Sequence, residues 1–288
     1  MADRTFGDPP NAAHPVAWFG TLMGRVESVL WADRRTHGVG YSSIGIGLGA
    51  LTGRFVRSTA TMVAVTSSGR QLRTTAQRIG EIVEAGDLER ARRELPALVG
   101  RDPSELDESG ICAAIVESLA ENSVDAVVAT AFWGAIGGAP GAGVYRAINT
   151  MDAMVGHRST RYRRFGWAAA RVDDIANYLP ARLFSTLVAL QVPGRAGHIV
   201  AAVRNDARAH PSPNAGVAEA SVAAALGCEL GGPLRYRERC EVRPTLGTGP
   251  RPQPADIRRA VQLINRTELS LVAILAGLWV AARVCGPR

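Results

Sequence analysis

The sequence predicts an all-α fold: a polytopic helical membrane protein with short or marginal spans and cytoplasmic polar loops. The first observation is a set of apolar segments at residues 38–53, 111–148 and 269–284, the first and last of which hold about sixteen residues each. A helix needs ~20 apolar residues to cross a bilayer, so these spans are marginal. The second observation is the arginine-rich loop 157–164, which the positive-inside rule places in the cytoplasm.

Between the apolar segments the pattern is that of amphipathic helices. One helical stripe in residues 70–95 consists of Leu72, Ala76, Ile79 and Val83. Their spacing at i, i+4, i+7 and i+11 is that of one helix face. Asp87 is then predicted to be the N-cap of a second, charged helix.

The second half of the chain continues the helical pattern. Residues 165–192 are helical in pattern, and residues 204–258 form a polar segment rich in proline and glycine that we expect in the cytoplasm. The chain then closes with the apolar helix 269–284. No internal repeat is apparent in the sequence, and we predict a single domain over residues 1–288.

The composition restricts the chemistry available. All 33 basic residues are arginines, because the sequence holds no lysine. A chain without lysine cannot form a pyridoxal phosphate Schiff base or use a P-loop lysine, so both enzyme classes are excluded. The net charge of +7 suits nucleic acid, an anionic membrane surface or an anionic substrate. A hydrophobic content of 47% with a mean hydropathy of +0.03 does not decide between a soluble and a membrane protein.

The four cysteines give no metal-binding pattern. No two of them form a CxxC pair, and no His/Cys cluster has zinc spacing, so we expect no zinc site. We interpret them as reduced, mostly buried side chains. The first twenty residues lack an apolar core, so we expect no signal peptide.

The acidic motif at residues 117–125 is the strongest candidate for a catalytic site. On a regular helix Glu117, Glu121 and Asp125 would share one face. Three like charges beside an apolar run need a compensating partner, which magnesium or an arginine cluster would supply. Asn122 lies inside the same motif. The alternative is an acidic face that is simply solvated.

A second motif joins an apolar helix to the basic loop. It contains Arg146, Asn149 and Asp152. The alternative interpretation is an ordinary helix cap formed by Asn149 or Asp152.

A third motif holds adjacent carboxylates on a predicted helix. Asp173 and Asn177 lie one turn apart, beside Asp174. This pattern resembles a magnesium or magnesium–phosphate site in helical enzymes. Arg171 and Arg182 flank the carboxylates, and the alternative is a simple Arg–Asp ion pair.

Two further segments carry candidate binding residues. Arg101 lies in a Gly-Arg-Asp turn, where a salt bridge and a substrate contact are equally compatible with the sequence. His210 and Asn214 lie in the segment 210–216, which is polar and rigid, and whose alternative role is that of an ordered capping loop.

The order of these motifs and the residues in them resemble those of one protein family. The succession GDP…HPV, GRD, ESLAENSVD, YRAINTMDAM, RFGWAAARVDDIANYLPAR, HPSPNAG, GGPLRY and RPTLG resembles the CobD/CbiB family of cobalamin biosynthesis from Gly7 to Gly247. The resemblance implies a multi-pass enzyme of the inner membrane that uses ATP and Mg²⁺. It would amidate a propionate of adenosylcobyric acid with (R)-1-amino-2-propanol or its O-phosphate. A small corrinoid substrate and a membrane, and no nucleic acid, are the implied partners.

The chain also departs from the family pattern. Family members usually carry longer apolar spans near residues 40–65 and 185–200. Thr130 and Ala131 stand where a proline-leucine pair is common, and Ala153 stands where a serine is common. These departures affect the number of spans and leave the acidic motifs unchanged.

Amide formation from a carboxylate requires that the carboxylate be activated. The expected catalytic residues are Glu117, Glu121, Asp125, Asp152 and Asp173, with Asp173, Asp174 and Glu121 as magnesium ligands. The expected substrate- or phosphate-binding residues are Arg101, Asn122, Arg146, Asn149, Arg171, Asn177, Arg182, His210 and Asn214. If one site uses the acidic motifs, Glu121, Asp125, Asp152 and Asp173 should converge. Two alternatives remain open: a membrane carrier that holds a corrinoid without chemistry, and a soluble helical binding module.

Overall fold

The computed structural model describes residues 15–100, 102–157, 159–236 and 239–285. Their packing divides the chain into two compact units. The first unit contains Met1–Arg70 and Asp125–Pro180, and the second contains Gln71–Val124 and Ala181–Arg288. Each unit is therefore built from two separate stretches of the sequence.

The first unit is helical. Its helices are α1 (Pro15–Leu30), α2 (Arg35–Val56), α3 (Thr59–Thr66), α7 (Ala129–Val155) and α8 (Trp167–Ala176). Its largest buried cluster consists of Met23, Tyr41, Met151, Val155, Phe165 and Ala169. This cluster joins α1, α2, α7 and α8 around one core.

Helix α7 crosses α2 at very close range. A Cβ atom on Gly49 would come within 2.5 Å of the Gly143 carbonyl oxygen, so a glycine is required for this approach. Small residues allow two helix backbones to approach in this way. α7 also bends at Gly138, whose φ of 65° is readily adopted only by glycine, just before Pro140.

The second unit contains seven helices among the residues that the structure describes. They are α4 (Gly69–Glu84), α5 (Leu88–Glu94), α6 (Glu108–Ser123), α9 (Tyr178–Gln191), α10 (Ala196–Asn205), α11 (Ala215–Leu226) and α12 (Pro254–Cys285). α9 begins in the last residues of the first unit. The predicted stripe on α4 is confirmed, since Ala76, Ile79 and Val83 are buried. Asp87 is the N-cap of α5, and its carboxylate accepts a hydrogen bond from the Arg90 backbone N–H at 3.0 Å.

The polar segment 204–258 is more ordered than a loop. It contains α11, all twelve residues of which are buried, and an antiparallel hairpin of β1 (Leu230–Tyr236) and β2 (Arg239–Leu246). Leu230 pairs with Leu246 and Gly232 with Arg243, with a bulge between Leu230 and Gly232. The all-α expectation therefore holds for almost the whole described chain but did not include this hairpin.

The membrane spans are fewer than expected. Among the described residues one helical stretch, Pro254–Ala281, is long and apolar enough to cross a membrane. The pair Tyr178–Gln191 and Pro193–Ala209 passes the same test only as one span bent by 114°. α12 is longer than the predicted helix 269–284 because its first half is amphipathic, while its second half exposes apolar side chains such as Trp279.

Candidate functional site

Three carboxylates of the first unit influence one another. Asp125 lies in a π-helical turn, Val124–Val128, that joins α6 to α7. Asp152 lies in the last turn of α7 and Asp173 lies on α8. Burial raises the pKa of Asp173 well above its ordinary value, and the charges of Asp125 and Asp152 raise it further. The charges of Asp125 and Asp152 therefore reach Asp173, while the convergence of all four carboxylates, Glu121 included, in one pocket stays a prediction.

Hydrogen bonds hold Asp173 in place. Asn177 donates from Nδ2 to Oδ2 of Asp173 at 3.0 Å, and the hydroxyl of Tyr145 donates to Oδ1 of Asn177 at 2.8 Å. The end of α8 is fixed to α7 because Trp133 Nε1 donates to the Ala176 carbonyl at 2.9 Å. The second oxygen of Asp173, Oδ1, is shielded from solvent and accepts no hydrogen bond from the described residues.

Asp174, the neighbour of Asp173 in sequence, forms an ion pair. Its carboxylate pairs with Arg171 at 3.6 Å, and the Arg171 side chain is 64% exposed. The simple ion pair that the sequence left open is therefore observed for these two residues. Asp173 is the carboxylate of this pair whose pKa the charges of Asp125 and Asp152 raise.

Arg146 and Asn149 precede Asp152 on α7. Arg146 donates from one terminal nitrogen to Oδ1 of Asn149 at 3.3 Å. Arg146 also lines an apolar cavity enclosed by α1, α2, α3 and α7.

The rest of the acidic motif belongs to the second unit. Regular α-helix ends at Ser123, so the four-residue spacing that would align Asp125 with Glu117 and Glu121 does not continue. Glu117 is 3% exposed, and its Oε1 accepts a hydrogen bond from the Gly231 N–H at 2.9 Å. Glu121 is exposed. Asn122 donates to the Ser118 carbonyl at 2.9 Å.

The segment around His210 forms an ordered loop in the second unit. Arg182 donates to Oδ1 of Asn214 at 2.8 Å and to the Pro213 carbonyl at 3.2 Å. His210 Nε2 lies 3.8 Å from a carboxylate oxygen of Glu219. Arg101 lies outside the described residues.

Glu219 and Tyr145 are polar residues that the sequence analysis did not select. Glu219 is fully buried on α11, with an oxygen 3.6 Å from the Arg243 guanidinium. A single acid inside the apolar run AGVAEASVAAAL is the signal that could have identified it, because a buried charge is retained only with partners. Tyr145 precedes Arg146, but nothing in the local pattern shows that its hydroxyl binds Asn177.

The carboxylate cluster is not a complete metal site by itself. Among the residues that the structure describes, no group of three His, Cys, Asp or Glu side chains is placed to hold a metal ion. Magnesium in phosphate-transfer enzymes is commonly bound by one or two carboxylates together with substrate phosphates and water. Asp173, whose Oδ1 is buried and accepts no hydrogen bond from the described residues, could contribute one such carboxylate.

Comparison with known proteins shows the family. The family model described as CobD/Cbib protein matches residues 1–264. The chain is 45% identical to the cobalamin biosynthesis protein CobD of Mycobacterium tuberculosis, over 98% of this chain and 94% of the relative. The protein of the same name from Rhodobacter capsulatus is 41% identical, over 92% of this chain and 90% of the relative.

A more distant relative covers the chain as completely. The cobalamin biosynthesis protein CobD of Geobacter metallireducens is 37% identical over 96% of this chain and 93% of the relative. No solved structure gives a significant match. Because both the family model and these relatives cover most of the sequence, the chain belongs to the CobD/CbiB family of cobalamin biosynthesis.

Proposed function

We propose that this protein amidates adenosylcobyric acid with (R)-1-amino-2-propanol or its O-phosphate, at the expense of ATP. The product would be adenosylcobinamide or its phosphate. Membership of the CobD/CbiB family supports a role in cobalamin biosynthesis. The observation that carries the proposal of catalysis is the carboxylate cluster of Asp125, Asp152 and Asp173.

The reaction needs an activated carboxylate, because an oxide ion is too poor a leaving group. In the proposed sequence a propionate oxygen attacks the γ-phosphorus of ATP, and ADP leaves. The amine nitrogen then attacks the acyl carbon, the bond to phosphate breaks, and a base removes one proton from nitrogen. The products are the amide, ADP and inorganic phosphate, so atoms and charge balance.

The carboxylate cluster suits the first step. Magnesium, when bound, would supply positive charge to the transferring phosphoryl group. Asp173 Oδ1 accepts no hydrogen bond from the described residues, and nearby like charges disfavour its ionised form. A divalent cation would offset that repulsion, so Asp173, with Asp125 and Asp152, is the proposed magnesium-binding group.

The acidic residues that lie outside this cluster have proposed roles in the second step. Glu121, exposed on α6, is the proposed base for the amine. Asp174, paired with Arg171, is the outer carboxylate of the proposed metal site. Glu117 already accepts a backbone hydrogen bond from Gly231, which suits a residue that holds the hairpin in place.

Substrate anions require cationic and hydrogen-bonding partners. Arg182 fixes Asn214 and Pro213, so the loop that carries His210 is ordered before any ligand arrives. Such preorganisation lowers the entropic cost of binding a phosphate or a propionate. Arg171, which is exposed, is a further proposed anion contact, and Asn177 and Asn149 are the proposed neutral ones.

The proposed location is the cell membrane, with the polar loops cytoplasmic. The exposed apolar half of α12 supports this location, since Leu278 and Trp279 are 62% and 58% exposed. Apolar side chains at that exposure are stabilised by a membrane or by a partner. A non-catalytic corrinoid carrier is the second candidate function, because carboxylates and arginines among apolar helices also mark transport pathways.

An ATPase assay separates the enzyme from the carrier. Purified full-length protein should convert ATP to ADP over many turnovers only when adenosylcobyric acid, magnesium and the amine are all present, and one amide should form per ADP. Asp173→Asn should abolish both signals, whereas Asp87→Asn, at the exposed N-cap of α5, should keep them. Corrinoid binding without ADP release or amide formation would contradict the proposed reaction.

A further inference from the structure

The loop between α7 and α8 is attached to the place where α1 ends and α2 begins. Arg161 donates from one terminal nitrogen to Oε1 of Glu27, in the last turn of α1, at 3.0 Å. Arg164 pairs with Asp33, in the turn between α1 and α2, at 3.4 Å. These two contacts hold the basic loop and the α1–α2 turn side by side in the first unit.

The attached segments carry more positive than negative charge. Among the described residues of 27–35 and 159–167 there are five arginines and two carboxylates. All five arginines are exposed, and they are Arg34, Arg35, Arg161, Arg163 and Arg164.

The excess charge is carried by arginines without an acidic partner. Arg34 and Arg163 form no ion pair with the residues that the structure describes. Each of them adjoins in sequence one member of the Asp33–Arg164 pair, so both belong to the same end of the unit. Their guanidinium groups are available to an anion from outside the chain.

Two tryptophans lie among these arginines, and each has a guanidinium over its ring. Arg161 Cζ lies 4.5 Å from the ring centroid of Trp31, and Arg35 Cζ lies 5.0 Å from that of Trp167. The two tryptophans are 38% and 39% exposed. Half-exposed tryptophan beside arginine is typical of the interface between a bilayer and water, because the indole is apolar in its body and polar at its N–H.

Exposed apolar side chains follow directly on either side of the turn. Val29, in the last turn of α1, is 83% exposed, and Val39 and Ile44 on α2 are 47% and 43% exposed. A purely polar partner would leave these side chains in water. A bilayer would cover them while its anionic head groups meet the arginines.

A nucleic acid fits this surface less well than a lipid head group does. Proteins that bind single strands stack the bases on aromatic rings. One face of Trp31 and one face of Trp167 are already covered by a guanidinium. The neighbouring apolar side chains would also have no partner on a phosphate backbone, so the observations favour a partner that combines negative charge with an apolar part.

We propose that this basic surface, made of Trp31, Trp167 and the five arginines, binds the head groups of anionic phospholipids. The lipid phosphates would lie against Arg34 and Arg163, with the two indoles at the depth of the head groups. The proposal rests on the membrane location proposed above and is independent of the amidation reaction. It assigns the part of the first unit that meets the charged layer of the membrane.

Quenching of tryptophan fluorescence by brominated lipids tests the proposal. The full-length protein is reconstituted in phosphatidylcholine bilayers that contain equal fractions of either brominated phosphatidylglycerol or brominated phosphatidylcholine. The anionic lipid should quench more strongly, and its excess quenching should shrink at about 1 M salt, where the Debye length falls to about 3 Å.

The arginines without an acidic partner should determine this lipid preference. The double variant Arg34→Gln/Arg163→Gln should lower the affinity for phosphatidylglycerol about fivefold for each arginine removed. Its affinity for phosphatidylcholine should not change. Circular dichroism should show that this variant and those below are folded.

The matched charge control lies on α5 in the second unit. Arg90→Gln/Arg93→Gln removes the same charge from two exposed positions on α5, which also carries Glu89 and Glu94. This variant should keep the lipid preference of the parent protein.

Tryptophan variants locate the lipid. Trp31→Phe/Trp167→Phe should lose most of the excess quenching by the anionic lipid, because these two indoles lie among the arginines. Trp18→Phe is the control. Trp18 is 60% exposed near the start of α1, so its loss should reduce quenching by both lipids equally.

Four results would overturn the proposal. Equal quenching of the parent by the two lipids would refute the basic surface while leaving the membrane location intact, whereas no quenching by either lipid would contradict the location as well. An unchanged lipid preference in Arg34→Gln/Arg163→Gln would show that these arginines do not bind head groups. Relief of the excess quenching by ATP or by a single-stranded nucleic acid would identify that ligand as the partner instead.

Discussion

Asn177 donates from Nδ2 to Oδ2 of Asp173 at 3.0 Å, and this bond orients the carboxylate on which the charges of Asp125 and Asp152 act. The bond favours the ionised form of Asp173, whereas burial and the neighbouring charges oppose it and have the larger effect. Asp173 is therefore held in position, although burial and the neighbouring charges disfavour its ionised form. A carboxylate in that situation is suited to receive a cation.

The raised pKa of Asp173 predicts how stability depends on pH. α8, which carries Asp173, lies outside the candidate membrane segments. A carboxyl with a higher pKa in the folded state than in the unfolded state binds its proton more tightly when folded. Its stabilisation is present at low pH and is lost as pH rises from about 3.9, the unfolded value, through the folded pKa.

Asp173→Asn should remove the loss of stability at high pH and keep the hydrogen bond with Asn177. In magnesium-free buffer the variant should melt at a higher temperature than the parent at about pH 8, with a smaller difference at about pH 5. Asp174→Asn is the control and should gain less, because Asp174 is paired with Arg171. If the melting temperatures of the parent and of Asp173→Asn depended on pH in the same way, the fold would not disfavour the ionised form of Asp173.

Tyr145→Phe tests the other end of the same chain of hydrogen bonds. Tyr145 is 1% exposed, and its hydroxyl donates to Asn177 at 2.8 Å. Without it the buried Asn177 oxygen loses a donor, so the free energy of unfolding should fall by about 1–3 kcal/mol. Urea denaturation measures this change, and an unchanged free energy of unfolding would show that the hydroxyl of Tyr145 does not stabilise Asn177.

The sequence predicts local features of the fold better than it predicts how the site is assembled. The α4 stripe and the Asp87 N-cap depend on helical periodicity and on one side chain, and both are found. The π-helical turn at Val124–Val128 is not visible in the sequence, because VDAVV contains no residue that requires it. The proximity of Asp152 to Asp173 depends on how α7 packs on α8, which no local pattern encodes.

The pairing of the hairpin and the burial of α11 could not be predicted from the sequence. Prolines, glycines and arginines in residues 204–258 are typical of a loop, yet β1 and β2 pair there and α11 is fully buried. Half of the twelve residues of α11 are alanine, so its low polarity is visible in the sequence, but its burial depends on the surrounding helices. Glu219 is stabilised by Arg243 and His210, which are distant from each other in sequence.

Gly231 and Gly232 form a matched pair for testing the hairpin. Both have positive φ, 84° and 96°, so alanine is strained at either position. A Cβ on Gly231 would come within 2.2 Å of the Pro244 carbonyl oxygen, whereas the nearest atom to a Cβ on Gly232 is 3.9 Å away. Gly231→Ala should therefore lower the melting temperature more than Gly232→Ala. Equal decreases would show that backbone strain alone determines the loss of stability.

Glu219→Gln should destabilise the second unit. Glu219 is fully buried and lies 3.6 Å from Arg243 and 3.8 Å from His210. Loss of its charge removes a carboxylate that lies 3.6 Å from the Arg243 guanidinium, so the free energy of unfolding should fall. Thermal unfolding measures the loss. Glu81→Gln, at an exposed position on α4, is the control and should have little effect.

Glu121→Gln tests the proposed catalytic role of the acidic motif. The substitution keeps the shape and hydrogen-bonding reach of an exposed side chain, so folding and corrinoid binding should survive. Removal of a group that stabilises a transition state typically lowers the rate by about a hundredfold or more. We therefore expect most amide formation to be lost and its dependence on magnesium concentration to weaken, as measured in the coupled ADP and amide assay.

The control for Glu121→Gln is Asp87→Asn, since asparagine is as good an N-cap as aspartate and Asp87 has no proposed part in catalysis. It should retain nearly all activity. The position of Glu121 on α6, just before regular helix gives way to the π-helical turn that carries Asp125, is what makes it a candidate. If Glu121→Gln formed product at the parent rate with the parent magnesium dependence, Glu121 would be a solvated surface residue, and the reaction would depend on Asp125, Asp152 and Asp173.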